Sequence, residues 1–272
     1  MTERRGLEKG IFNRTERLVG ASAMDRLTEA RVLVVGVGGV GSWCAESLVR
    51  TGVRRVTIVD SDRVCITNVN RQLMATMGTV GMVKVEALKE RLLSINPKAE
   101  ITALQKIYTA DTADEFDLDS YDYVVDAIDS LQDKALLILR ACRSKAKFYS
   151  SMGAALKVDP TKVAVAEFWK VRGCPLGAAL RRRFKKQHTL PARKFKCIYS
   201  EELMPNLGGN TTCGTSACMC PKAKDGPGDP SLLNHEWCSS KAQINGTLAH
   251  ITAIFGFTLA GLIVQDILSG KG

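Results

Sequence analysis

The feature that most constrains this chain is a β-branched run ending in glycines. Arg31-Val32-Leu33-Val34-Val35 is short and apolar, and Gly36-Val37-Gly38-Gly39-Val40-Gly41 follows at once. An uninterrupted apolar strand of this kind is buried on both faces, as in a parallel sheet. The G-x-G-x-x-G spacing gives the glycines separate tasks. Gly36 permits a tight turn, Gly38 lets a phosphate approach the backbone, and Gly41 lets the next helix pack closely on the strand. That helix, Ser42 to Thr51, presents free N–H groups to an anion.

The same texture recurs along the first half. Val56-Thr57-Ile58-Val59 repeats the strand pattern and ends in Asp60. Val80 to Ile95 has apolar residues at helical spacing and stops before Asn96-Pro97, where proline discourages continuation. Ile101 to Leu104 and Tyr123-Val124-Val125 read as strands, and Leu131 to Cys142 as a helix. The alternation predicts an α/β fold, a Rossmann-like, doubly wound mixed sheet. After Phe148 a strand is expected over Val163–Trp169 and a helix over Leu176–Phe184. The expected organisation is an N-terminal arm and helix (1–30), a nucleotide-binding half (31–147) and a substrate half (148–272), sharing one sheet in one domain. The last part holds an irregular Cys-rich loop (205–240), long enough to be functional or mobile, and a C-terminal apolar helix.

Charge narrows the class of partner. The 272 residues carry 38 Lys+Arg against 28 Asp+Glu, a formal net charge of +10. With 45% hydrophobic and 24% charged residues, disorder, collagen and small disulfide scaffolds are excluded. Residues 181–196 include Arg181, Arg182, Arg183, Lys185, Lys186, Arg193, Lys194 and Lys196 with no acid, whereas 111–133 hold nine acids and no Lys or Arg. The basic run reads as a solvated helix face or as a surface for an RNA backbone. Nine scattered cysteines and an N-terminus without an apolar signal run point to a reducing compartment, and a cytoplasmic location is expected. Leu248 to Val264, apolar apart from His250, Thr252 and Thr258, only just reaches the length of a membrane span. Gly256 and Gly261 suit close helix packing, so a buried core or dimer helix is favoured over a membrane anchor.

A second set of residues distinguishes between nucleotides. Asp60-Ser61-Asp62 is followed by Asn68-Val69-Asn70-Arg71-Gln72, then by Lys84, and Asp126-Ala127-Ile128-Asp129 ends the third strong strand. An NAD site has no need of an arginine and a lysine at its phosphate end. A triphosphate does, because its charge must be offset as pyrophosphate departs. Asp129, at the carboxyl edge of the sheet, suits Mg²⁺, which takes one or two carboxylates plus phosphate oxygens. Each residue also has a plain alternative: Arg71 and Lys84 as surface charges, Asp129 as a helix cap. In this order they favour ATP adenylation.

Gly36-x-Gly38-Gly39-x-Gly41, Asp60-x-Asp62, Asn70-Arg71-Gln72, Lys84 and Asp126-x-x-Asp129 together resemble the E1-like adenylating family of ubiquitin-activating and ThiF type. The resemblance implies Arg71 and Lys84 on the phosphates, Asp60 on the ribose and Asp129 on Mg²⁺. It also implies a homodimer in which Arg17 enters the neighbouring site. Within the family, Gly41-Ser42-Trp43-x-Ala45-Glu46, Val64-Cys65-Ile66-Thr67-Asn68, Ser130 after Asp129, Lys196-Cys197-Ile198-Tyr199-Ser200 and Phe255-Gly256-Phe257 are similar to the tRNA threonylcarbamoyladenosine dehydratase group. That group activates the side-chain carboxylate of N6-threonylcarbamoyladenosine in tRNA with ATP and closes it into a ring. The implied partner is tRNA, with Arg181, Arg182, Arg183, Lys185, Lys186 and Lys194 as its expected surface.

The rivals are an adenylyltransferase for a sulfur-carrier or ubiquitin-like protein, an NAD-binding oxidoreductase, and a nucleotide-sensing scaffold. Carrier-protein enzymes commonly hold zinc with two C-x-x-C pairs, and this chain has none. Cys213, Cys218, Cys220 and Cys238 cluster, but at a spacing unusual for zinc. Cys238 lies where some members of the dehydratase group accept sulfur, which would imply a cysteine desulfurase or other sulfur partner. Cys174 stands where an acidic residue is common before Pro175.

Overall fold

The computed structural model describes residues 10–209 and 245–270. Within them seven short strands join one sheet: β1 (Arg31–Val35), β2 (Arg55–Val59), β3 (Glu100–Leu104), β4 (Tyr123–Asp126), β5 (Lys147–Ser151), β6 (Val163–Glu167) and β7 (Lys196–Ser200). Their order is β3-β2-β1-β4-β5-β7-β6, parallel throughout except for the antiparallel edge strand β6. The chain starts at β1, steps outward to β3, and returns past β1 to β4. This reversal opens a crevice at the carboxyl ends of β1 and β4, where ligands of doubly wound sheets bind.

Both faces are covered, as the uniform apolar run of β1 requires. Two N-terminal helices, α1 (Asn13–Val19) and α2 (Ala21–Glu29), lead into the sheet. Val32 and Val34 pack with α3 (Gly41–Thr51), α4 (Lys84–Ile95) and α7 (Ala249–Leu268). Leu33 and Val35 face the opposite layer, built by α5 (Leu131–Ala141) and α6 (Pro175–Lys186). One buried carboxylate ties the first layer together. Glu46 of α3 accepts from Arg50 Nε at 2.7 Å and from Arg91 Nε of α4 at 2.9 Å. Burial pushes the Glu46 carboxyl up, but its two arginine partners bring it below the usual carboxylate range.

Several elements differ from expectation for local reasons. The helix expected from Val80 begins at Lys84, because Gly81 takes φ +93° and Val83 pairs with Arg63 in an isolated bridge. The strand expected to reach Trp169 ends at Glu167, and Phe168–Lys170 turns as a short 3-10 helix. β5 escapes a periodicity reading because its buried residues include Ser150 and Ser151. It begins at Lys147 and continues the parallel ladder from β4, so the expected division at 147/148 falls within a strand. β7 was visible only as part of a family motif.

The apolar C-terminal segment is a 20-residue helix, long and apolar enough by composition to cross a membrane. Here its face of Ile251, Phe255, Leu259 and Ile263 is buried against α3 and the sheet. Gly256 carries that contact: a Cβ there would lie 2.5 Å from Val40 O and 2.8 Å from Cys44 N. Gly261 makes no such contact within the chain: a Cβ there meets nothing within 4 Å among the described residues. Gly256→Val should therefore cost about 3 kcal/mol by overpacking against backbone. Gly261→Ala should be neutral or gain up to about 1 kcal/mol of helix propensity. Chemical denaturation of both variants checks the contrast, and equal effects would refute this packing.

Candidate functional site

The glycine turn is built by contacts that admit no side chain. Gly36 has φ +87°, and a Cβ on it would lie 2.8 Å from Ala127 O at the end of β4. A Cβ on Gly41 would lie 1.9 Å from Gly36 O, so α3 starts directly against the turn. Gly38 is different: its Cβ direction opens toward Gln72 Nε2 at 3.7 Å. Gly39 abuts Thr252 of α7, with 3.0 Å to its Cγ2.

Beside this turn lies a cavity of about 690 Å³ at the carboxyl ends of β1, β2 and β4. Gly36, Gly38, Gly39, Asp60 and Asp62 line it on one side, and Arg71, Gln72, Lys84 and Asp129 on the others. Two residues expected to bind the nucleotide do not line it. Gly41 is consumed by the close approach to Gly36, and Asn70 is a support. The Asn70 side chain donates to Thr247 O at 2.9 Å and accepts from Arg71 Nη1 at 2.9 Å. Arg71 Nη1 also donates to Thr67 O at 2.7 Å, while its carbonyl accepts from Trp43 Nε1 at 3.1 Å.

Asp60 organises the backbone as well as lining the cavity. It accepts from the N–H of Val37, in the glycine turn, at 2.9 Å and from that of Asp62 at 3.0 Å. Lys84 Nζ donates to Asp62 at 2.5 Å and lies 3.7 Å from Asp60. Burial alone would lower the Lys84 ammonium, but Asp60, Asp62 and Asp129 outweigh it and hold it above the usual lysine range. Lys84 thus stays a cation, only 5% exposed, at the cavity wall. Gln72 is equally buried, and its Oε1 has no hydrogen-bond partner among the described residues. A buried acceptor without a partner is costly, which fits a donor arriving with a ligand. Asp129 is exposed at the rim, and Ser130, not Asp129, caps α5 by accepting from Asp133 N–H.

Beneath Asp129 lies a buried charge pair that the sequence reading missed. Lys134 and Asp126 are both fully buried, with Nζ and Oδ2 2.8 Å apart. Ser150 Oγ donates to Asp126 at 2.6 Å, the Ile128 N–H donates to it at 3.1 Å, and Lys134 donates to Ile128 O at 2.9 Å. These bonds fix the peptide that carries Asp129. A signal was available: Lys134 lies in phase with Ile138 and Ala141, on the core face of an amphipathic helix.

The remaining expected residues lie elsewhere. Arg17 is exposed on α1 and does not line the cavity of its own chain. Arg182, Lys185, Lys186 and Lys194 are exposed, and Arg183 is half-buried. Arg181 donates to Phe168 O at 3.2 Å, and its guanidinium sits 5.9 Å from the Phe168 ring centre. Arg193 binds the carbonyls of Ser144 and Ala141 at 2.9 and 2.8 Å, at the C-terminus of α5. Cys213, Cys218, Cys220 and Cys238 lie outside the described residues.

The model of the ThiF family matches residues 12–271. The chain belongs to the ThiF family. It is 42% identical over 259 residues to the tRNA threonylcarbamoyladenosine dehydratase of Bacillus subtilis, covering 94% of each. To the Escherichia coli dehydratase it is 35% identical over 265 residues, covering 95% of this chain and 93% of that one. The crystal structure of the Escherichia coli enzyme in complex with ATP superposes with a TM-score of 0.78, at 31% identity over 97% of both chains.

The buried pair gives a direct test. Lys134→Met alone leaves Asp126 unpaired and should cost about 3–5 kcal/mol in denaturant unfolding. Adding Asp126→Leu should recover more than half of that loss. A double variant as unstable as the single one would contradict the account.

Proposed function

We propose that this chain is an ATP-dependent tRNA threonylcarbamoyladenosine dehydratase. The carrying observation is one cavity that gathers the glycine turn, Arg71, Gln72, Lys84 and Asp129, on a chain matching dehydratases over nearly their whole length. ATP enters with its phosphates along Gly38, where no Cβ intervenes, and with Asp60 toward the ribose. Gln72 Oε1, an acceptor, takes an N–H or O–H donor from a ligand.

In the first step, a side-chain carboxylate oxygen of N6-threonylcarbamoyladenosine at position 37 of tRNA attacks the α-phosphorus of ATP. The bond from that phosphorus to the bridging oxygen breaks, giving an acyl-adenylate and pyrophosphate. Arg71 and Lys84 offset the charge that moves onto the departing pyrophosphate. In the second step the carbamoyl group of the same side chain attacks the activated carbonyl carbon, the bond from that carbon to the AMP oxygen breaks, a proton is released, and the ring closes. The sum over both steps is loss of one water from the nucleoside. Asp129 would hold Mg²⁺, whose preference for a carboxylate plus phosphate oxygens suits an exposed aspartate at the cavity rim. When bound, the ion neutralises phosphate charge.

The finer partners belong to the same proposal. The chain acts as a homodimer, and Arg17, exposed on α1, reaches the neighbouring copy's site. The exposed cations of α6 face tRNA, and Cys238 is the acceptor for a sulfur partner such as a cysteine desulfurase. The enzyme works in the cytoplasm.

The experiment is nucleoside mass spectrometry after incubation with ATP, Mg²⁺ and tRNA bearing the modification. Loss of one water from threonylcarbamoyladenosine supports the proposal. ATP–pyrophosphate exchange that requires a protein ending in Gly-Gly and ignores tRNA would overturn it, as would tight NAD binding without pyrophosphate release. Arg71→Ala and Asp129→Ala should each slow adenylate formation by about 100-fold or more without lowering the melting temperature. Near-normal rates in both would remove these residues from the site.

A further inference from the structure

The net charge of the chain has one address. Between Phe168 and Ser200 there are ten Lys or Arg and no Asp or Glu, a surplus equal to the whole +10. The rest of the protein is balanced. Within this segment the turn Phe168–Lys170 exposes an indole: Trp169 is 37% accessible, with Lys170 and Arg172 exposed beside it.

The turn is rigidly held. Phe168 is fully buried and stacks on Phe195, with ring centres 5.0 Å apart and planes 17° from parallel. The Phe168 N–H donates to Phe195 O at 3.0 Å, and the Trp169 N–H donates to Glu167 Oε2 at 3.1 Å. The Trp169 ring meets Phe168 edge to face at 5.2 Å. Arg181 then links the turn to α6 by its bond to Phe168 O, so the exposed cations Arg182, Lys185 and Lys186 continue from the same support. The chain that follows the turn leads toward the cavity. Val171 packs against Gly177, and the neighbouring Leu176 lines the cavity wall.

We propose that Trp169 is a stacking platform for an unpaired base of the tRNA, flanked by Lys170 and Arg172 on its phosphates. This inference rests on the tRNA-modifying reading above. Unpaired bases are recognised in RNA loops by stacking on aromatic rings, and cations beside the ring hold the backbone. A lone indole among exposed cations offers little to a protein partner, which would need acidic groups and a broader apolar patch. tRNA presents unpaired bases in its loops, and the base that Trp169 takes is one of these.

The test is binding of tRNA to the full-length protein at several salt concentrations. Trp169→Ala should weaken tRNA binding by roughly ten-fold with little change in salt slope, because stacking neutralises no phosphate. Trp169→Phe should retain most of the affinity. Lys170→Ala and Arg172→Ala should each lower the slope by about one. ATP affinity and melting temperature should stay as in the wild type. Wild-type tRNA affinity in Trp169→Ala overturns the inference while leaving the dehydratase reading intact. A fully paired RNA that competes as well as the tRNA itself also overturns it. Failure of the unaltered protein to bind or dehydrate tRNA would overturn both.

Discussion

Four chain segments meet at the carboxyl end of β1 without side chains between them, and the rest of the molecule depends on that approach. Gly36 lies against Ala127, Gly41 against Gly36, and Gly256 against Val40 and Cys44. Each contact is backbone to backbone, or nearly so. The first joins the turn to β4, the second sets the start of α3, and the third brings α7 down onto α3. The crevice between β1 and β4 is therefore walled by main chain on the side where Gly38 opens to the cavity. A methyl group at Gly36, Gly41 or Gly256 would force these segments apart, because close-packed interiors have little slack.

Buried charge is arranged in two layers around the same edge. Lys84, held by Asp60 and Asp62, faces the cavity. Lys134, held by Asp126, lies fully buried below the Asp129 peptide. The first is a cation with an open side, placed where an anion gains from a low dielectric and pre-set geometry. The second is closed, and its carboxylate also accepts from Ser150 and Ile128. Closed pairs of this kind contribute little net stability but are costly to break. Here the pair serves geometry, holding an exposed aspartate at a defined rim.

The sequence was most legible where one residue type has one physical use. Glycines at fixed spacing after an apolar run, an aspartate ending a strand, and Asn70-Arg71-Gln72 on the next connection all pointed to this cavity, and most of them line it. Legibility failed where a residue's use depends on a distant neighbour. Asn70 belongs to the motif yet supports Arg71 and Thr247. Arg181 and Arg193 read as surface charge, but one is held by a carbonyl and a ring and the other caps α5. β5 hides behind serines that are buried because Asp126 gives Ser150 an acceptor.

By itself the sequence determined the layered α/β class, the parallel interior strands, the nucleotide turn and the localisation of positive charge. Periodicity, glycine spacing and charge order are local, and their physical meaning survives without knowledge of neighbours. Only the tertiary structure decided which of two glycines in one apolar helix is a contact, which lysine is buried, and which exposed ring stands among the cations. Those outcomes follow from what lies across the fold: Val40 opposite Gly256, Asp126 opposite Lys134, and Phe168 beneath Trp169.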